Sequence, residues 1–278
     1  MKKGLLLFLP AAIWLFLFLI VPLILIFIYS FLSRDMYGSI TYQFTLSNYE
    51  RFFEWAYLRI FLRTILYSFL VTITCLLLAY PFAWQMSCTP KRIRSILLVL
   101  LMIPFWTNSL VRTFAWMTLL RTEGIINSFL ISTGIIESPF PMLFNEGAIM
   151  IGLFYVLFPF MVLPLYVSMD KLDANLLEAA ADLGAGSFHR LIHITIPLTM
   201  PGIVSGSLIV FISSSGMFAI TDLMGGAKIM FLGNLILNQF LSARNWPFGS
   251  AVSTILVFIS LIFIIFYLYI SRKEREDS

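Results

Sequence analysis

The chain has 278 residues, 60% of them hydrophobic and 12% charged, with a formal net charge of +4. An ordinary soluble domain carries about 45–50% apolar and about 25% charged residues, so a wholly water-facing surface is excluded and lipid is the expected surrounding. The basic residues sit in short clusters between apolar runs, not in a continuous stripe. That pattern argues against nucleic acid as a partner and for loop charges that set membrane orientation.

Met1-Lys2-Lys3 precedes an apolar run that reaches Leu32. A secretory signal has a shorter core of about 7–15 residues followed by a small-residue cleavage site, so the run is expected to be an uncleaved first span, Leu5–Phe31. Five further spans are expected at Ile60–Met86, Ser95–Leu119, Ala148–Met169, Gly202–Ile220 and Phe248–Ile270. Each is taken as helix, because lipid satisfies no backbone group and about 20 apolar residues cross the hydrocarbon. The alternating pattern of a membrane barrel is absent. The expected fold is therefore all-α, a polytopic membrane protein of six transmembrane helices, with residues 1–278 forming one domain.

Orientation follows from Lys and Arg. With the amino terminus inside, the inner pieces hold Lys2, Lys3, Lys91, Arg92, Arg94, Lys171, Arg190, Arg272, Lys273 and Arg275. The outer ones hold Arg34, Arg51, Arg59, Arg63, Arg121, Lys228 and Arg244. The excess lies inside, as the positive-inside rule requires, and both termini are expected in the cytoplasm. Cys75 and Cys88 lie along one predicted helix, about 20 Å apart at 1.5 Å per residue. That is too far for a disulfide.

The third and fourth spans carry prolines. Pro104 is expected to free the carbonyl of Leu100, and Pro159 and Pro164 to disturb the fourth span twice, since proline removes a helical hydrogen bond and crowds the carbonyl four residues back. A tolerated kink is the plainer reading of each. Asn108 and Arg112 share a helix face near the outer end of the third span, and Asp222 ends the fifth on the outer side. Polar groups inside spans mark candidate functional positions, and Arg112 is expected to pair with an acid or to reach outward. The outer loop with Glu123, Glu137 and Glu146 against Arg121 reads either as a solvated loop or as a mildly acidic surface for cations or a binding protein.

The segment from about 170 to 197 is too polar to span, yet it is punctuated like helix. Asp173 is placed to cap a first short helix, Gly184 to end it in a left-handed turn and Ser187 to cap a second. Pro197 disfavours helix at Ile196 and starts the next span. Leu176, Ala180 and Leu183 share one face of the first helix. Glu178 and Asp182, four residues apart, repel each other by a few tenths of a kcal/mol, which a cation from another chain would offset. A solvated loop is the alternative. In the fifth span Ser205-Gly206-Ser207 and Ser213-Ser214-Ser215-Gly216 read first as small residues for close helix packing, a second subunit being one candidate partner, and second as path lining. His189 and His193 have a zinc-compatible spacing but lack the glutamate of the protease motif, so no metal site is expected. There is no Walker A pattern.

Glu178-Ala179-Ala180, three residues, Gly184, nine residues, then Ile194-x-Ile196-Pro197 resembles the EAA signature of binding-protein-dependent ABC importer permeases. The one departure is Ile196 where leucine is usual. Pro104 to Arg112, Asp222 to Ala227 and Asn245 to Gly249 resemble the permeases of spermidine/putrescine importers within that family. The resemblance implies a type I importer permease fold with cytoplasmic coupling helices, in a bacterial inner membrane, working by alternating access. It implies a coupling role for Glu178, Ala179, Ala180, Asp182, Gly184 and Pro197 against a cytoplasmic ATPase present in two copies. It also implies a second homologous permease subunit and an extracytoplasmic polyamine-binding protein as partners.

No cofactor is expected on this chain itself, ATP and Mg belonging to the ATPase. A polyamine needs carboxylates for its ammonium groups and aromatic faces for cation–π contact. Trp106, Asn108, Tyr155, Phe218 and Asp222 are the expected substrate-path residues. Another small solute is the alternative substrate. A membrane-embedded enzyme or an uncoupled channel is the alternative class, but the former lacks a nucleophile–base pair and the latter leaves the spacing of the polar segment unexplained.

Overall fold

The computed structural model describes residues 2–35 and 39–276. Met1 and Ser278, the chain ends assigned to the inside by the charge pattern, lie outside the described residues. In chain order the elements begin with α1 (Lys2–Leu15), a π turn (Phe16–Ile20) and α2 (Val21–Tyr29). A short antiparallel hairpin follows, β1 (Leu32–Arg34) and β2 (Ile40–Phe44), then α3 (Ser47–Phe52), α4 (Trp55–Ser87) and α5 (Lys91–Met102). A 3-10 turn (Ile103–Trp106) leads to α6 (Ser109–Leu120), α7 (Ile125–Ser132) and α8 (Glu146–Met169). Next come α9 (Ala174–Asp182), α10 (Ser187–Arg190), a second π turn (Leu191–Thr195) and α11 (Ile196–Gly216). The chain closes with α12 (Ala219–Gly225), α13 (Leu232–Leu241) and α14 (Trp246–Glu276).

Among the described residues five helical stretches are long and apolar enough to cross a membrane: Leu9–Tyr29, Trp55–Ser87, Glu146–Met169, Ser187–Gly216 and Trp246–Ile265. A sixth is reached if the bent pair Lys91–Trp106 and Ser109–Ser132 counts as one span. The expected third span, Ser95–Leu119, is therefore broken, with a bend of 92° between its halves. The cause is local. Pro104 tightens the end of α5 into a 3-10 turn, Thr107 is extended (ψ 151°), and Asn108 restarts the helix as its N-cap.

The expected fifth span, Gly202–Ile220, is displaced. Its helix starts earlier, at Ser187, and stops at Gly216, where Met217 turns extended (ψ 120°) before α12 begins. The fourth span runs unbroken through Pro159 and Pro164.

Both π turns precede an X–Pro pair. The Val21 amide donates to the carbonyl of Phe16 ahead of Pro22, and the Ile196 amide to that of Leu191 ahead of Pro197. Widening the turn gives the proline ring room where it would crowd a carbonyl in a regular helix. Helix consequently continues through Ile196 (φ −59°, ψ −50°), against the break expected there.

The chain divides into two compact units, Met1–Leu62 with Leu232–Ile262, and Arg63–Phe231 with Phe263–Ser278. In the first, Asn48 ties the hairpin to the end of α2 by donating to the carbonyls of Ser30 (3.0 Å) and Leu32 (2.8 Å), while the hydroxyls of Ser30 and Tyr49 lie 2.7 Å apart. Arg51 donates to the Tyr57 hydroxyl (2.9 Å) and covers the ring of buried Phe248.

The second unit is built on α8, whose Ile149, Leu153, Leu157, Met161 and Leu165 are buried. Its most extensive partner is α11. Glycine permits their close approach: a Cβ on Gly202 would stand 2.7 Å from the carbonyl oxygen of Pro164, and one on Gly206 2.9 Å from Met161 Sδ. Gly202 and Gly206 thus serve packing against α8 of the same chain.

Candidate functional site

The polar segment folds as an elbow, and its punctuation follows from side-chain chemistry. Asp173 caps α9 by accepting from the amide of Asn175 (3.0 Å). At the far end Gly184 is left-handed (φ +85°), its amide donates to Ala181 O and that of Ala185 to Ala180 O, both at 2.9 Å. This is the paired 5→2 and 6→1 closure that satisfies a helix's last carbonyls.

Ser187 differs from expectation. It is the first residue of α10, Gly186 is the N-cap, and no side-chain cap bond forms. Nor is the second arm a separate short helix, because α10 passes through the π turn into α11. Arg190 joins the two arms: its Nη1 donates to the carbonyl of Leu177 (3.2 Å) and its Nη2 to the Ser187 hydroxyl (3.4 Å).

The outer surface of the elbow is open. Glu178, Ala179, Asp182 and Gly184 are exposed, Ala180 is half-buried and Pro197 is exposed. Leu183 is 90% and Phe188 74% exposed. Leu176 and Leu183, the apolar face read from spacing, thus point away from this chain's own core. The base is fixed by Arg94, which forms an ion pair with Asp170 and donates to Ser87 O (2.7 Å) and the Tyr166 hydroxyl (3.4 Å).

Neither Arg94 nor Arg190 was singled out from sequence, where both read as ordinary inside charges. The rings of His189 and His193 stack in near-parallel planes 4.0 Å apart. Among the described residues there is no group of three or more metal-binding side chains.

The five path residues are distributed over the second unit. α6, α8 and α12 pack on one another. Asn108 is exposed and caps α6, its Oδ1 accepting from the Leu110 amide (2.8 Å). Tyr155, on α8, is half-buried with its ring edge-on to Trp116 at 5.5 Å. Phe218 precedes α12 and Asp222 lies within it, both exposed. Trp106 stands at the break before α6 and is 80% exposed.

Arg112 finds no acid among the described residues. Its guanidinium covers the Phe105 ring at 5.0 Å, and Nε and Nη1 are buried without a partner. Glu146, read as a loop charge, instead opens α8 and pairs with Arg63 at 3.9 Å.

Comparison with known proteins agrees with this architecture. Residues 55–276 match the family described as binding-protein-dependent transport system inner membrane component. The chain is 46% identical over 259 residues to the spermidine/putrescine transport system permease protein PotB of Salmonella typhimurium (strain SL1344), covering 93% of this chain and 90% of that one. It is 45% identical to PotB of Escherichia coli (strain K12), covering 93% and 94%. It is also 45% identical to PotB of Haemophilus influenzae, covering 91% and 89%. The fold is shared with a bacterial ABC transporter involved in import of the acidic polysaccharide alginate, with a TM-score of 0.78 at 17% identity and coverage of 98% and 96%. With an EAA-type elbow, at least five membrane-crossing helices and a family match over most of its length, the chain belongs to the binding-protein-dependent inner-membrane permeases and is a transmembrane subunit of an ABC importer.

Proposed function

We propose that this permease imports polyamines, spermidine or putrescine, by alternating access. It would pair with a second permease subunit, receive its substrate from an extracytoplasmic binding protein, and be driven by two copies of a cytoplasmic ATPase that holds ATP and Mg. The substrate reading is supported by the 45–46% identity to spermidine/putrescine permeases over more than 90% of the chain.

The observation that carries the coupling role is the elbow itself. A short capped helix presents Glu178, Asp182 and a bare Leu183 outward, while Arg190 locks it to the arm that continues into α11. A push on α9 is then delivered along α11 to α8, and so to the helices that bear Tyr155, Phe218 and Asp222. In this reading the elbow and both chain ends face the cytoplasm.

ATP hydrolysis by the reconstituted transporter, measured across a panel of solutes with the binding protein, tests the proposal. Stimulation by polyamines alone is expected, and stimulation by an unrelated solute would redirect it.

A further inference from the structure

Behind the elbow lies a cavity of about 500 Å³, lined by Tyr80, Pro81, Trp84 and Gln85 of α4, Leu177 of α9, and Ser187, Arg190, Leu191 and Thr195. Its size is that of a small-molecule site. Arg190 is the one cation in this lining, and its charge is not neutralised. Among the described residues no carboxylate lies within ion-pair distance, its two bonds, to Leu177 O (3.2 Å) and the Ser187 hydroxyl (3.4 Å), go to neutral acceptors, and Nε is unpartnered. A half-buried guanidinium in such a setting favours an anion, and phosphate matches its donor geometry best. The remaining walls are mixed. Trp84, Pro81, Leu177 and Leu191 offer apolar surface, while Gln85, Ser187 and Thr195 offer hydrogen-bonding groups. A tryptophan near the end of a membrane helix stands at the depth of lipid head groups.

We propose that this cavity binds a phosphate ester anion on Arg190, with its apolar neighbour against Trp84, and that occupancy braces the elbow against α4. An acidic phospholipid of the inner leaflet supplies that chemistry, and so does a soluble phosphate. The inference uses the inside placement of the elbow proposed above, but its test does not depend on that placement.

The test follows Trp84 fluorescence in the reconstituted transporter, taken as the difference from the Trp84→Phe variant, while brominated phosphatidylglycerol, brominated phosphatidylcholine or inorganic phosphate is added. If lipid is the source, phosphatidylglycerol quenches at about fivefold lower mole fraction than phosphatidylcholine. Arg190→Gln removes the preference and Arg190→Lys keeps most of it. If soluble phosphate is the source, the two lipids quench alike, and phosphate shifts the signal in the parent protein but not in Arg190→Gln. Gln85→Glu, which sets a negative charge in the cavity without touching the elbow bonds, abolishes either response and carries the test should Arg190→Gln fail to assemble. A signal indifferent to both anions, or equal in the parent and the variants, overturns the proposal.

Discussion

Arg94 and Asp170, 76 residues apart in the chain, meet as an ion pair that fastens the start of α5 to the end of α8, directly before the elbow. Asp170 is nearly half exposed, so the charge term alone is worth about 0.5–1 kcal/mol, and the hydrogen bonds from Arg94 to Ser87 O and Tyr166 add to it. Asp170→Asn is expected to lower the thermal midpoint of the detergent-purified protein slightly, and Arg94→Ala to lower it further. Combining Arg94→Asp with Asp170→Arg should recover only the ion-pair share. Full recovery would mean that the other two bonds contribute nothing.

The contact between α8 and α11 gives a graded prediction. A Cβ on Gly202 meets a backbone carbonyl that cannot move aside, whereas one on Gly206 first meets the movable sulfur of Met161. Gly202→Ala should therefore destabilise by about 1–3 kcal/mol, the usual cost of overpacking, and Gly206→Ala by less. Thermal inactivation of the two variants measures the order, and the reverse order would contradict the packing described.

Gly184 is held at φ +85° with open space around it, so any loss on Gly184→Ala is backbone strain and not a clash. A left-handed alanine costs about 1–2 kcal/mol. The elbow should loosen, and substrate-stimulated ATP hydrolysis fall several-fold, while the complex still assembles. Gly134, also left-handed and unobstructed (φ +70°), lies at the end of α7 and is the matched control. Gly134→Ala should leave hydrolysis unchanged.

Asp222 tests the substrate path. Losing a charge-assisted contact to an ammonium group costs about 1.5–3 kcal/mol, so Asp222→Asn should weaken polyamine uptake about tenfold or more with assembly intact. Unchanged uptake would remove Asp222 from the path.

The sequence made some of these features plain and concealed others. Asp173 and Gly184 were legible because a cap and a left-handed terminus are written into single residues and their neighbours, and the elbow stands out by polarity. Ser187 misled, since Gly186 one position earlier serves as N-cap and leaves the hydroxyl to Arg190. The breaks at Thr107 and Met217 were hidden by hydropathy, which runs on evenly through a bend, and so was the capping role of Asn108, because a cap inside an apolar run is indistinguishable from a polar lining group. The π turn before Pro197 was also out of reach: a proline signals trouble in a helix, but whether the chain breaks or widens depends on what packs around it. Arg94 and Arg190 became visible only once α8 and α9 had brought Asp170 and Leu177 beside them.

Position 183 offers the most direct measurement. Its side chain is almost fully bare and stands at the tip of the elbow, where a nucleotide-driven partner would seat it. Leu183→Cys, in a Cys88→Ser background because Cys88 is the exposed native thiol, should form a short-span crosslink to the ATPase subunit in the assembled complex. Nucleotide should change the yield, and the thiol should be closed to membrane-impermeant reagents added from outside. Labelling from the outside, or no crosslink to the ATPase in a complex that hydrolyses ATP, would contradict the account.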